Sequence, residues 1–202
     1  HVPEGYSWKT LVRWGDPLFS DAANAYDPKA GVSVEFADRV MGENTDGMEL
    51  YNVDGREILV VNSEYTNNKV NLPHREDGLP GSLDDVRILQ HLQGVTVMEL
   101  AQNDDGWSVV LDSPYNRRIH HNTPMTFSGP AAGHDLLKTD ADPTGMASLG
   151  TMNNCGSGRT PWGTYLTCEE NFNGYFGAAS EVSADSMVMD GFKRYGVSTK
   201  VD

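Results

Sequence analysis

No part of this chain keeps a helical rhythm for long. Short apolar or alternating runs are cut repeatedly by turn residues, and that punctuation restricts the chain to a strand-rich architecture. Glu57-Ile58-Leu59-Val60-Val61-Asn62 follows the Asp54-Gly55 turn and reads as a buried strand. Val95-Thr96-Val97-Met98-Glu99-Leu100 reads as a second and Trp107-Ser108-Val109-Val110-Leu111 as a third, with Asp104-Asp105-Gly106 predicting a hairpin between them. Further strands are expected around Asp135 to Lys138, Ala147 to Met152 and Gly163 to Cys168. One segment reads as a helix: Ser82 caps it, Asp85 stands three residues on in the manner of a capping box, and Val86, Leu89 and Leu92 keep helical spacing up to Gly94. The first fifty residues, with Asp16-Pro17, Asp27-Pro28 and Glu43-Asn44-Thr45-Asp46-Gly47, read as long loops around few strands. With 21 glycines and 10 prolines among 202 residues, a helix bundle is excluded. An all-β sandwich, barrel or propeller fits.

Charge narrows the function. Fifteen basic residues stand against 29 acidic ones, a net charge of -14 at neutral pH. A nucleic-acid backbone would be repelled, whereas metal cations suit such a surface. No run of about 18 apolar residues is present, so no transmembrane segment is expected. The chain opens on His1-Val2-Pro3-Glu4-Gly5 without an apolar signal core and stops at Lys200-Val201-Asp202 without a closing element. The expectation is a single incomplete domain, residues 1–202, of a longer chain whose export signal has been removed or was never present. Cys155 and Cys168 are the only cysteines, and they fit either one disulfide or two distinct thiols.

The densest chemistry runs from Asn153 to Phe176. Cys155 is read as sitting where a strand gives way to the Gly156-Ser157-Gly158 turn, so that backbone and thiol can approach a ligand closely. From Trp162 to Cys168 the chain alternates, placing Tyr165 and Thr167 on one face and Thr164, Leu166 and Cys168 on the other. That strand ends in Glu169, Glu170 and Asn171. Carboxylate and amide oxygens suit hard ions such as calcium, and a thiolate suits a transition metal. Two glutamates at a strand end are also common as plain solvated charge, so both readings stay open at this level.

Asn153-Asn154-Cys155, followed by Thr160-Pro161-Trp162-Gly163-Thr164-Tyr165-Leu166-Thr167-Cys168-Glu169-Glu170-Asn171-Phe172-Asn173-Gly174-Tyr175-Phe176, closely resembles the signature of the PhoX family of bacterial alkaline phosphatases. Val2-Pro3-Glu4-Gly5-Tyr6, Val61-Asn62-Ser63-Glu64-Tyr65-Thr66-Asn67, and Asn122-Thr123-Pro124 leading into Ser128-Gly129-Pro130-Ala131-Ala132-Gly133-His134 agree, so the resemblance runs along the whole chain. It implies a six-bladed β-propeller carrying an iron–calcium cluster, and hydrolysis of phosphate monoesters in the periplasm after twin-arginine export. It implies that Cys155 binds iron as a thiolate, which argues against a disulfide and leaves Cys168 as a small buried strand residue. It further implies metal-ligating roles for Glu169, Glu170 and, as a third carboxylate, Glu64. A small phosphate ester is the expected substrate and a monomer the expected state.

Two departures accompany the resemblance. Ser63 stands where many relatives carry His. The family is also much longer, with its phosphate-binding basic residues and several metal ligands downstream, and six blades of about four strands exceed what 202 residues supply. The chain alone is therefore expected to be inactive. No side-chain nucleophile is convincing: Gly-x-Ser-x-Gly is absent, and Asp112-Ser113-Pro114 reads as a turn. His120, His121 and His134 are the histidines to watch, and Arg117-Arg118 either meets phosphate or is surface charge. Asp140 to Gly145 resembles the start of an EF-hand loop, but Thr151 occupies the position of the bidentate Glu, so that reading fails. A competing function is a non-catalytic, calcium-stabilised propeller module that binds a partner. Such a module has no use for a thiol beside two carboxylates, which makes Cys155 the discriminating residue. A related hydrolase acting on phosphodiesters or another ester is a third reading.

Overall fold

The computed structural model describes residues 1–200 apart from 179, 182 and 185. These fall into two compact units, His1–Cys168 and Glu169–Asp202. In the first unit β1 (Tyr26–Asp27) and β2 (Gly31–Val32) form a small ladder within the opening loops. The main sheet is built from β3 (Thr45–Val53) and β4 (Arg56–Ser63), then, beyond the short α1 (Asn68–Asn71) and α2 (Leu83–His91), from β5 (Gly94–Asn103), β6 (Gly106–Val109) and β7 (Arg117–Ile119). Its order is β3-β4-β5-β6, all antiparallel, with β7 also paired to β5. β8 (Thr123–Thr126) pairs with β9 (Ala147–Gly150), and β10 (Asn154–Arg159) with β11 (Tyr165–Glu169). The strand-rich expectation holds. Among the described residues the sheets do not close into a ring of blades.

The pleat explains why β4 and β5 read as continuous apolar runs. Val61, Met98 and Leu100 join Leu18 and Met41 in one core cluster, while Ile58, Val60, Val95 and Val97 pack with Tyr51 in another. Successive residues of one strand face opposite sides, so the sheet is covered on both faces. Asp54 and Gly55 take φ values of 52° and 79°, the left-handed pair that a two-residue hairpin between Val53 and Arg56 requires. Asn103 pairs with Gly106 across the turn predicted at Asp104-Asp105.

α2 begins at Ser82, whose hydroxyl accepts from the Asp85 N–H at 3.1 Å. Asp85 does not return the bond to the Ser82 N–H; its carboxylate takes the Gly81 N–H at 2.8 Å and lies 2.9 Å from His74 Nε2. Gly94 has a φ of +97° and opens β5, where any Cβ would collide with the carbonyl oxygen of Ile119.

Several expectations are corrected. Asp135–Leu137 is a 3-10 turn rather than a strand, because His134 Nδ1 accepts the Leu136 N–H and starts a turn. Residues 154–159 continue as β10, so Cys155 lies inside a strand and not at its exit. Cys168 is exposed rather than buried, on the outer face with Leu166. No disulfide joins Cys155 and Cys168. Arg118 is not surface charge: it is 7% exposed and bonds Thr96 Oγ1 and the carbonyls of His91 and Gln93. In the second unit α3 (Met187–Tyr195) was not expected, although Ser186 caps its start through the Met189 N–H and Gly196, at φ 69°, ends it.

Candidate metal centre

Asp46 on β3, Glu64 just past β4 and Cys155 on β10 come together, with one ligand atom of each within 4.8 Å of the others. The thiol of Cys155 donates to Asp46 Oδ2 at 3.1 Å. Asp46 is exposed and the other two are half-buried, so the group lies at the protein surface.

A β-bulge places Asp46. Thr45 faces Ser63 and Met48 faces Val61, so Asp46 and Gly47 together oppose the single residue Asn62. Such an extra residue bends the strand and re-aims its side chains. Gly47 is required there for closeness: a Cβ would stand 2.6 Å from the Cβ of Ser157 on β10. Glu64 lies one residue beyond β4 and is clasped by Asn44, whose carbonyl accepts the Glu64 N–H at 3.0 Å and whose amide donates to the Tyr65 carbonyl at 2.8 Å. Asn44 adopts a φ of 46°, a left-handed conformation that asparagine tolerates.

Asn62 holds β10 in place. It is completely buried, and its Nδ2 donates to the carbonyls of Cys155 at 2.7 Å and Gly156 at 3.2 Å. Its Oδ1 accepts the hydroxyls of Tyr165 at 2.9 Å and Thr167 at 3.0 Å, the two residues that strand alternation puts on one face. Burial pushes the Tyr165 phenol above its ordinary pKa, so it remains a donor to Asn62 and to the Gly47 carbonyl. The next stretch of the same motif is structural: Asn67 and Asn71 donate side-chain N–H groups to the buried carboxylate of Glu43, each at 2.5 Å. Ser63, by strand alternation, faces away from Asn62.

Of the carboxylates expected from the sequence, Glu64 joins Cys155. Glu169 ends β11 and Glu170 follows it, both exposed and belonging to the second unit, where they are described by themselves. Asp46 was missed, since Glu43 to Gly47 reads as loop; the Asp46-Gly47 pair was its one usable signal. His121 Nε2 lies 3.2 Å from Gln93 Oε1, and Arg117 donates to the Tyr115 carbonyl at 2.9 Å. Asp142 is fully engaged by the Thr144 hydroxyl and the N–H groups of Thr144, Met146 and Ala147, in keeping with the failed EF-hand reading.

The geometry is a sulfur and two carboxylates converging on one point, a donor set suited to metal ions of mixed hardness. A solved structure, Pseudomonas fluorescens PhoX in complex with vanadate, a transition state analogue, is 43% identical with a TM-score of 0.89. The match covers 98% of this chain and 34% of that one, so the chain spans about a third of its solved relative. No curated protein matches. The family model described as alkaline phosphatase PhoX matches residues 1–202, and the chain therefore belongs to the PhoX family of alkaline phosphatases.

Proposed function

We propose that this chain forms part of the active site of a metal-dependent alkaline phosphatase that hydrolyses phosphate monoesters in the periplasm. Asp46, Glu64 and Cys155 are the first unit's share of an iron–calcium cluster held in a six-bladed propeller, and Glu169 and Glu170 of the second unit are proposed as metal ligands from the sequence motif alone. The observation that carries this reading is the thiol of Cys155 set 3.1 Å from Asp46 in one cluster with Glu64. A thiolate favours iron and carboxylate oxygens favour calcium, so these residues fit the group. When bound, such a cluster supplies neutralisation of the phosphate oxygens and a water of lowered pKa.

The chain's own residues have definite tasks. To hold a metal ion Cys155 would give up the proton it directs at Asp46, because the ligating form is the thiolate. Asn62 fixes the carbonyls of residues 155 and 156, which sets where Sγ stands. Ser113 is no nucleophile: it is buried and its hydroxyl donates to Glu99 Oε2 at 2.5 Å. Arg118 is held by Thr96, His91 and Gln93, so phosphate-binding cations come from elsewhere in the longer protein. The phosphatase acts as a monomer, and this third of the relative's length is inactive alone. Among the described residues no helix is long and apolar enough to cross a membrane.

The test is elemental analysis of the purified chain beside a Cys155→Ala variant. Iron with calcium in the parent, and iron lost from the variant, supports the cluster. Calcium alone, indifferent to the substitution, favours the calcium-stabilised binding module instead. Appreciable turnover of a chromogenic phosphate monoester by the metal-loaded chain would overturn the claim of inactivity.

A further inference from the structure

A second group of metal-capable side chains lies in the first unit, separate in sequence from the Cys155 cluster. Asp38 follows a 3-10 turn at Val34–Phe36, His91 is the last residue of α2, and His120 follows β7. One ligand atom of each falls within 4.8 Å of the others. The imidazoles of His91 and His120 stack with centroids 4.1 Å apart and planes 38° apart. Nδ1 of His91 is buried and has no hydrogen-bond partner among the described residues. An unsatisfied buried nitrogen costs about 1–3 kcal/mol, so a native site of this kind calls for an occupant.

We propose that Asp38, His91 and His120 bind a divalent transition ion of the zinc class. Two imidazoles and one carboxylate are a familiar zinc donor set, with a fourth position left to water or another group. The absence of thiolate separates this site from the Cys155 cluster, and the single carboxylate disfavours calcium or magnesium, which need several oxygens. Arg118 is the adjacent opposing charge. Its guanidinium is tied to Thr96, His91 and Gln93, and Asp38 offsets it, so only an ion that gains strongly from imidazole nitrogen enters. Burial is the chief cause that lowers the pKa of both imidazoles, with Asp38 opposing it at His91 and the His91 ring and Arg118 adding to it at His120. His120 Nδ1 accepts the Asn122 N–H at 3.3 Å. Coordination through Nδ1, or through Nε2 with the ring proton moved to Nδ1, replaces that long bond. The bound ion ties the end of α2 to the residue that follows the Val34–Phe36 turn and to the residue after β7.

The experiment uses zinc as the probe, on metal-stripped Cys155→Ala chain so that thiolate binding cannot contribute. After desalting, one zinc per chain is expected in this background. Adding Asp38→Asn, at an exposed residue that does not disturb the core, abolishes retention, as does His91→Gln. In the same Cys155→Ala background, imidazole NMR shows zinc-dependent shifts at His91 and His120 among the six histidines. Zinc retained equally by Asp38→Asn and His91→Gln, no zinc in the Cys155→Ala background, or shifts at other histidines only, would each overturn the site. Because the thiolate is absent throughout, the outcome is independent of the iron–calcium reading.

Discussion

Asn62 offers the sharpest test of how β10 is held against the main sheet. It is fully buried and makes four hydrogen bonds, two donated to the carbonyls of Cys155 and Gly156 and two accepted from Tyr165 and Thr167. In Asn62→Ala the two hydroxyls keep other partners, since Tyr165 still donates to the Gly47 carbonyl and Thr167 still accepts from Asn154 Nδ2. The Gly156 carbonyl belongs to an exposed residue and recovers water, while the Cys155 carbonyl is left less well satisfied. Only the Cys155 carbonyl is left without a replacement, and an unmet acceptor of this kind costs about 1–3 kcal/mol. For a protein of this size that corresponds to a fall in melting temperature of about 2–12 °C. Urea unfolding followed by circular dichroism measures the free energy, and iron content measures the site. Asn62→Asp, which keeps the acceptors but turns a carboxylate towards two carbonyls, serves as the second variant. A loss below about 0.5 kcal/mol in both variants, with iron retained, would refute the pinning role.

Other outcomes follow from the same structure. Gly94→Ala should cost at least about 3 kcal/mol in chemical denaturation, because its φ is left-handed and the Ile119 carbonyl fills the space of a Cβ. Ser82→Ala should cost about 1 kcal/mol by removing the α2 cap, measurable as a shift in urea midpoint. The Thr144 hydroxyl, with the Ala147 N–H, holds the Asp142 carboxyl at about 2 against an ordinary 3.8. The unfolded chain therefore binds that proton more readily. Asp142 contributes its full stability above about pH 4 and loses it as pH falls through about 2, so the gap between parent and Asp142→Asn should narrow over that window.

What the sequence determined by itself was local. The apolar runs of β4 and β5, the turns at Asp54-Gly55 and Asp104-Asp105, and the Ser82 cap all depend on neighbours a few residues apart, and each stood where it was read. The alternation from Trp162 to Cys168 was also legible, since Tyr165 and Thr167 both turn to Asn62. The resemblance in the Asn153 to Phe176 segment identified the family before any coordinates. Tertiary structure decided the rest. Gly156-Ser157-Gly158 carries turn chemistry, yet β10 forms because pairing with β11 and the two bonds from Asn62 outweigh that propensity. Arg118 looks like surface charge until the carbonyls of His91 and Gln93 close over it. Asp46 became a site residue only through a bulge against β4, a register event no linear pattern records. Asp38, His91 and His120 converge for the same reason: their meeting depends on how α2, the Val34–Phe36 turn and β7 pack, contacts between residues far apart in the chain.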